Sequence, residues 1–223
     1  MPQANVIRWR DGGGWIVLTG GGDFRTTRED EGTNEIEAQA LGLASAGKPM
    51  AYIFAASDIE TADEHLALLE DLGAPSGYLV DALSEDDDTL RAQLEDAGLI
   101  ILADGKQADQ LRGGLLGAAI AGIEAAFQEG AVVLAEGAGA QVLGSVYGAK
   151  PGLGWIEGAA VIPYFDTDTG KQRLRDLLIA HPESYALGIG TGSALALGPN
   201  GEVQAWGKRQ ITVTLGSKFK PGE

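Results

Sequence analysis

The sequence predicts an α/β fold: a doubly wound, mostly parallel sheet flanked by helices, with a short antiparallel portion at the C-terminus, as a single domain over residues 1–223. Three observations lead there. Short β-branched or continuously apolar runs alternate with helix-compatible stretches up to residue 144, with brief connections, as βα units require. Glycine-rich segments fall where these runs end, the edge at which such sheets place ligand-facing loops. Beyond residue 159 several short strand-like segments follow one another, with Pro199-Asn200-Gly201 as a hairpin signal.

Taken in order, residues 6–10 and 15–18 flank Asp11-Gly12-Gly13-Gly14, which predicts two strands joined by a tight turn. Gly20-Gly21-Gly22-Asp23 closes the second strand. Asn34 is expected to cap a helix reaching Ser45, with Ile36, Ala40, Leu41 and Leu43 on one side. The apolar run 50–55 suits a strand buried on both faces. Ser57-Asp58-Ile59-Glu60 has the form of a capping box opening a helix to about Leu72, with Leu66 and Leu69 inward and Gly73 ending it. His65, beside Asp63 and Glu64, reads as a solvated or locally paired surface histidine.

The run Glu85-Asp86-Asp87-Asp88 lacks the glycine and bidentate glutamate of an EF-hand loop. Carboxylates at a helix N-terminus account for it through the macrodipole. A helix to Ala97 and a strand over 98–103 follow, with Asp104-Gly105-Lys106-Gln107 at the strand's carboxyl end. Residues 113–129 read as one long helix whose inward face holds Leu115, Leu116, Ala119, Ile120, Ile123 and Phe127. Strands are expected at 160–166, 185–189, 194–197, 203–206 and 211–215, and a helix at 171–180.

The chain is organised around residues 130–144. Val132, Val133 and Leu134 form a buried strand that breaks into Ala135-Glu136-Gly137-Ala138-Gly139 and resumes as a helix. A turn of the form small-x-nucleophile-x-Gly is a nucleophile elbow, whose middle residue sits on strained backbone at the top of the sheet. Here the middle residue is Gly137, so the turn is expected to keep a positive φ while carrying no nucleophile. A dinucleotide fingerprint fits less well, because Val142 stands where a small residue is needed.

Composition narrows the function classes. A net charge of −16, from 32 acidic and 16 basic residues, opposes binding to nucleic acid or to an anionic membrane and favours cationic ligands. With no cysteine, disulfides, thiolate metal sites and a cysteine nucleophile are excluded, and two histidines exclude a histidine-rich metal site. No metal and no cofactor are expected. Residues 1–5 lack the basic and apolar regions of a signal sequence, and no apolar run approaches a membrane span, so a cytoplasmic location is expected.

Several ordered motifs resemble the cyanophycinase and aspartyl dipeptidase (dipeptidase E) family of serine peptidases. Residues 99–111 resemble the strand and glycine-bearing loop that helps form the family's oxyanion hole, and residues 134–141 resemble its G-x-S-A-G-A elbow. Gly20-Gly21-Gly22, Gly152-Leu153-Gly154, residues 161–165, Arg173-Leu174-Arg175, His181-Pro182-Glu183 and Gly188-Ile189-Gly190 extend the match over nearly the whole chain. The resemblance implies a class I glutamine amidotransferase-like fold and a homodimer. The family serine falls on Gly137, its histidine on Tyr164, and its acidic residue near Thr191, Gly192 or Ser193. His181 matches a pair the family does not use in catalysis.

The resemblance therefore implies a degenerate site, with Gly105, Lys106, Glu136, Gly137, Ala138, Tyr164 and Asp166 as the expected pocket. Three readings follow. The chain binds a small molecule or peptide, or serves in an assembly; it is a hydrolase of altered chemistry using Glu136 and Tyr164, with Asp104, Asp166 and Asp168 nearby; or it is a serine peptidase, as homology alone would assign. Ser145 and Ser193 are the candidate relocated nucleophiles, neither with a histidine near it in sequence.

Overall fold

The computed structural model describes residues 3–4, 6–25 and 33–220. In chain order the elements begin with β1 (Gln3–Ala4), β2 (Ile7–Trp9), β3 (Trp15–Thr19), α1 (Thr33–Leu43), β4 (Met50–Ile53), α2 (Ile59–Asp71), β5 (Gly77–Val80), α3 (Asp87–Asp96) and β6 (Leu99–Leu102). Then come α4 (Ala108–Leu115), α5 (Ala118–Gln128), β7 (Val132–Ala135), α6 (Ala138–Leu143), β8 (Val146–Tyr147), β9 (Lys150–Pro151), β10 (Ile156–Glu157) and β11 (Ala159–Ile162). The last are α7 (Asp168–Ala180), β12 (Tyr185–Ile189), β13 (Ser193–Leu197), β14 (Val203–Gly207) and β15 (Ile211–Leu215).

The main sheet has seven strands in the order β14-β13-β3-β7-β6-β4-β5. From β3 to β5 every pairing is parallel, and β13 and β14 add an antiparallel edge. The central strands are apolar throughout because both faces are covered, and their period of two divides the core cleanly. Val17, Met50, Tyr52, Ile101 and Leu134 face α1 and α2, with Ile36, Ala40, Ala62 and Leu69 opposite. Ile16, Leu18, Ile53, Ile100 and Val133 face the other way, against Leu94, Leu111, Ile123 and Val142. A second sheet, β11-β12-β15, carries α7 through Leu174 and Leu177. Among the described residues no helix is long and apolar enough to cross a membrane.

Several local expectations change. Strands β2 and β3 form no hairpin: β2 pairs with β1 and β10, while β3 joins the main sheet. The glycines between them pass tightly over the end of α5, where a Cβ on Gly14 would lie 2.0 Å from the Ala131 carbonyl oxygen. Asn34 lies inside α1 and does not cap it, and the helix ends at Leu43. The cap of α2 is Asp58, whose carboxylate accepts the Thr61 N–H at 2.8 Å; Ser57 precedes it. The single helix expected over 113–129 is two, broken at Leu116 and Gly117, where φ is +85°. That conformation lies outside the helical region and favours glycine. Asp86 caps α3, with Asp87 and Asp88 in its first turn, as the macrodipole requires. Thr167 caps α7, which starts at Asp168.

Candidate functional site

The carboxyl ends of β3, β4, β6 and β7 converge at one edge of the main sheet, the position where α/β folds build sites. Thr19 and the loop to Arg25, Tyr52 and Ser57, Asp104 and Gly105, and Glu136 line a cavity of about 240 Å³, closed on one side by Thr61 and His65 of α2. The sheet supplies the rigid floor. The loops supply the polar groups.

At the end of β7 the chain turns through Gly137, with φ +42° and ψ −100°, into α6. The positive φ expected of an elbow is present. A Cβ at this position would lie 2.0 Å from Asp104 Oδ1, so the Asp104 carboxylate fills the space a side chain of residue 137 would need. The same oxygen accepts the Gly105 N–H at 2.7 Å and the Ala138 N–H at 2.8 Å. Two backbone donors, one from the loop after a strand and one following residue 137, thus converge on one oxygen, the arrangement that an oxyanion hole requires. Here their acceptor is a carboxylate of the same chain.

Tyr164 follows β11 and is held in the left-handed region, φ +53°, a conformation of appreciable cost for an aromatic residue. Its N–H donates to the Gly20 carbonyl at 2.9 Å, and its hydroxyl donates to Asp104 Oδ2. Burial, followed by the charge of Asp104, pushes the Tyr164 phenol well above its ordinary pKa. Tyr164 is thus bound to Asp104 above Gly137, whereas Glu136 turns into the cavity towards His65.

A second cluster at the site is built around His65. His65 is 2 % exposed, against the expectation of a solvated histidine. It occupies the apolar stripe of α2 together with Ala62 and Leu69, at the i, i+3, i+7 spacing of one helix face. Its Nε2 lies 2.9 Å from Glu37 Oε1, its Nδ1 lies 2.9 Å from the Tyr52 hydroxyl, and Phe24 stacks on its ring at 4.2 Å. Glu37 comes from α1 and is also buried; Glu136 Oε2 stands 3.8 Å from Nδ1. Burial pushes the Glu136 carboxyl up. For His65 burial alone would lower the pKa, but the adjacent Glu136 and Glu37 outweigh it and the net shift is upward.

Glu37 and His65 were missed, and Tyr52 was read only as part of a strand. The signal lay in helical spacing: Glu37 sits between Ile36 and Ala40 on the inward side of α1, and His65 lies three residues after Ala62. Polar groups on an apolar stripe mark buried chemistry.

The remaining expected residues divide. Gly105, Glu136, Gly137 and Ala138 are at the site. Lys106 is not; it is exposed and borders a separate groove with Gln110, Gln141 and Lys150. Asp166 also lies elsewhere, exposed, accepting from the Thr191 N–H and hydroxyl at 3.0 Å. Asp168 is on the first turn of α7, 3.8 Å from Lys171. Ser145 bridges the Ile156 carbonyl and the Gly158 N–H, and Ser193 accepts the Gln210 N–H, so both hydroxyls are structural. His181 contacts the Gly148 carbonyl at 3.2 Å.

Solved structures resemble this architecture, among them two peptidase-like chains. A peptidase from an acI-B1 Actinobacterium matches with a TM-score of 0.74 at 23 % identity, over 92 % of this chain and 93 % of that one. A proposed peptidase E protein from Listeria monocytogenes EGD-e matches with a TM-score of 0.61 at 14 % identity, over 91 % of this chain and 98 % of that one. No protein-family model matches the chain, and no curated protein does. The fold is peptidase-like.

Proposed function

We propose that this chain is a non-catalytic member of the peptidase-like fold that binds a small cationic ligand in the cavity beside its elbow. The observation that carries this reading is the Asp104 carboxylate lying against Gly137 and taking the N–H groups of Gly105 and Ala138. Acyl transfer needs a nucleophile at the elbow and a vacant donor pair for the oxyanion that forms. This site has neither. The family base position, Tyr164, is a phenol committed to Asp104 and cannot take a proton near neutrality.

The cavity itself favours positive charge. Asp104 and Glu136 line it, and Arg25 at its mouth is paired with Glu64 at 2.7 Å. The chain's charge of −16 adds a long-range attraction for cations. The hydrolase alternative using Glu136 and Tyr164 together loses support, since each is engaged with a different partner.

The test pairs reactivity with binding. Purified protein should neither hydrolyse aspartyl or isoaspartyl dipeptides nor become labelled by a fluorophosphonate. Methylammonium should raise its melting temperature more than sodium does at equal ionic strength. Stoichiometric labelling near Gly137, or dipeptide turnover, would overturn the reading.

A further inference from the structure

Glu136 is buried and lines the cavity, and the His65 Nδ1 atom stands 3.8 Å from its carboxylate. Beyond that imidazole lies a second buried carboxylate, Glu37. One imidazole supplies at most one positive charge against two acids, and buried carboxylates persist when they are paired or coordinate a metal. Donor-capable atoms of Glu37, His65 and Glu136 all lie within 4.8 Å of one another.

The geometry assigns distinct roles. Glu37 on Nε2 fixes the tautomer and orientation of the ring, as the carboxylate behind a metal-bound histidine does. That leaves Nδ1 as the acceptor of the Tyr52 hydroxyl at 2.9 Å, with Glu136 Oε2 3.8 Å away, so an ion bound at Nδ1 takes the lone pair that the hydroxyl uses in its absence. The 3.8 Å between Nδ1 and Glu136 Oε2 is close to the separation of about 3.4 Å between two donors on a tetrahedral ion with bonds near ~2.1 Å. Imidazole, carboxylate and phenol without thiolate make a nitrogen and oxygen donor set, suited to first-row divalent ions more than to magnesium or calcium. The adjoining cavity has room for water in the remaining positions.

We infer that His65 Nδ1 and the Glu136 carboxylate hold one divalent first-row transition-metal ion, with Tyr52 beside it and Glu37 fixing the imidazole from behind. This rests on the reading of the cavity as a cation-binding site and names the cation.

The probes are Zn²⁺ by calorimetry and Mn²⁺ by paramagnetic broadening of histidine ring signals. With two histidines in the chain the broadening is assigned by the His181→Gln variant. One Zn²⁺ per chain is expected, with selective broadening of His65 over His181 at substoichiometric Mn²⁺, and no comparable calorimetric binding of Mg²⁺. Glu136→Gln should weaken Zn²⁺ on the order of 100-fold and Glu37→Gln about 10–100-fold. His181→Gln should change nothing.

If a buried substitution prevents folding, the broadening in the unmodified protein still decides. Equal broadening of both histidines, weak binding at many exposed carboxylates, or unchanged affinity in a folded Glu136→Gln would overturn the metal site. Methylammonium binding without any Zn²⁺ binding would overturn it while supporting the cation-binding cavity. Fluorophosphonate labelling at the elbow would instead defeat the reading on which both stand.

Discussion

Asp104 Oδ1 accepts the N–H of Ala138 at 2.8 Å, and in doing so a residue from the end of β6 completes the helix start that β7 leaves open. The first N–H groups of a helix have no partner within it. At an elbow this makes a ready anion site, and here the anion is a side chain of the same molecule. The consequences are local and measurable.

Asp104→Ala should strip the acceptor from Gly105 N–H, Ala138 N–H and the Tyr164 hydroxyl. The half-buried position predicts a loss of about 1–3 kcal/mol in urea unfolding. Acetate or formate should then raise the melting temperature of Asp104→Ala but not of the unmodified chain. Equal response in both proteins would show that the two N–H groups are not the site of rescue.

Gly137→Ala should be destabilising by at least about 1 kcal/mol, because φ is +42° and the new Cβ meets Asp104. Part of this cost is collision, so in the double variant with Asp104→Gly the losses should fall short of their sum. A double-mutant cycle measures the coupling; strict additivity would mean that the carboxylate moves aside freely.

Gly137→Ser with Tyr164→His should remain inactive towards activated esters, since Asp104 still occupies the donor pair. Adding Asp104→Gly vacates it, and weak, alkaline-favoured esterase activity should emerge in the triple variant. Robust turnover by Gly137→Ser alone would reveal a base that the structure does not place near the elbow.

His65→Ala should be more harmful than Glu37→Gln. Removing the imidazole leaves Glu37 and Glu136 buried beside each other, which predicts a loss of about 3–5 kcal/mol. Glu37→Gln keeps a hydrogen-bond acceptor for Nε2 and should cost about 1–3 kcal/mol. Urea titrations in the presence of a chelator give both values. The reverse order would mean that the cluster is held by something other than its imidazole.

Alkaline pH should destabilise the fold through its tyrosines. Burial, and then the Asp109 carboxylate, pushes the Tyr147 hydroxyl up to about 12; burial pushes Tyr185 up to about 12 and Tyr164 higher still. A pKa raised in the folded state means that the folded protein keeps its protons longer. The stability this represents is complete below the unfolded value near ~10 and is lost as pH rises from there through about 12. Tyrosinate absorbance should therefore lag that of the denatured chain and rise with unfolding. Free titration near 10 in the folded protein would contradict these environments.

The sheet was legible because its signals are local. Unbroken apolar strands such as residues 132–135, the Pro199-Asn200-Gly201 turn and the glycine at 137 each act over a few residues, and each predicts the same fold. The break at Gly117 and the cap at Asp58 were misread for a related reason: several polar or small residues in a row could serve, and local spacing does not choose among them.

The sequence by itself determined the fold class, the elbow and the absence of a hydroxyl at residue 137. Those depend on residue identity and short-range periodicity. Only the tertiary structure decided that Asp104 fills the donor pair and that Glu37, His65, Tyr52 and Glu136 meet. These groups arrive from α1, α2, β4 and the end of β7, separated by up to 99 positions in sequence. Their proximity follows from strand order, because β7 and β4 flank β6 while α1 and α2 share one face of the sheet. No spacing along the chain encodes that arrangement; packing of the two helices on a common sheet face does.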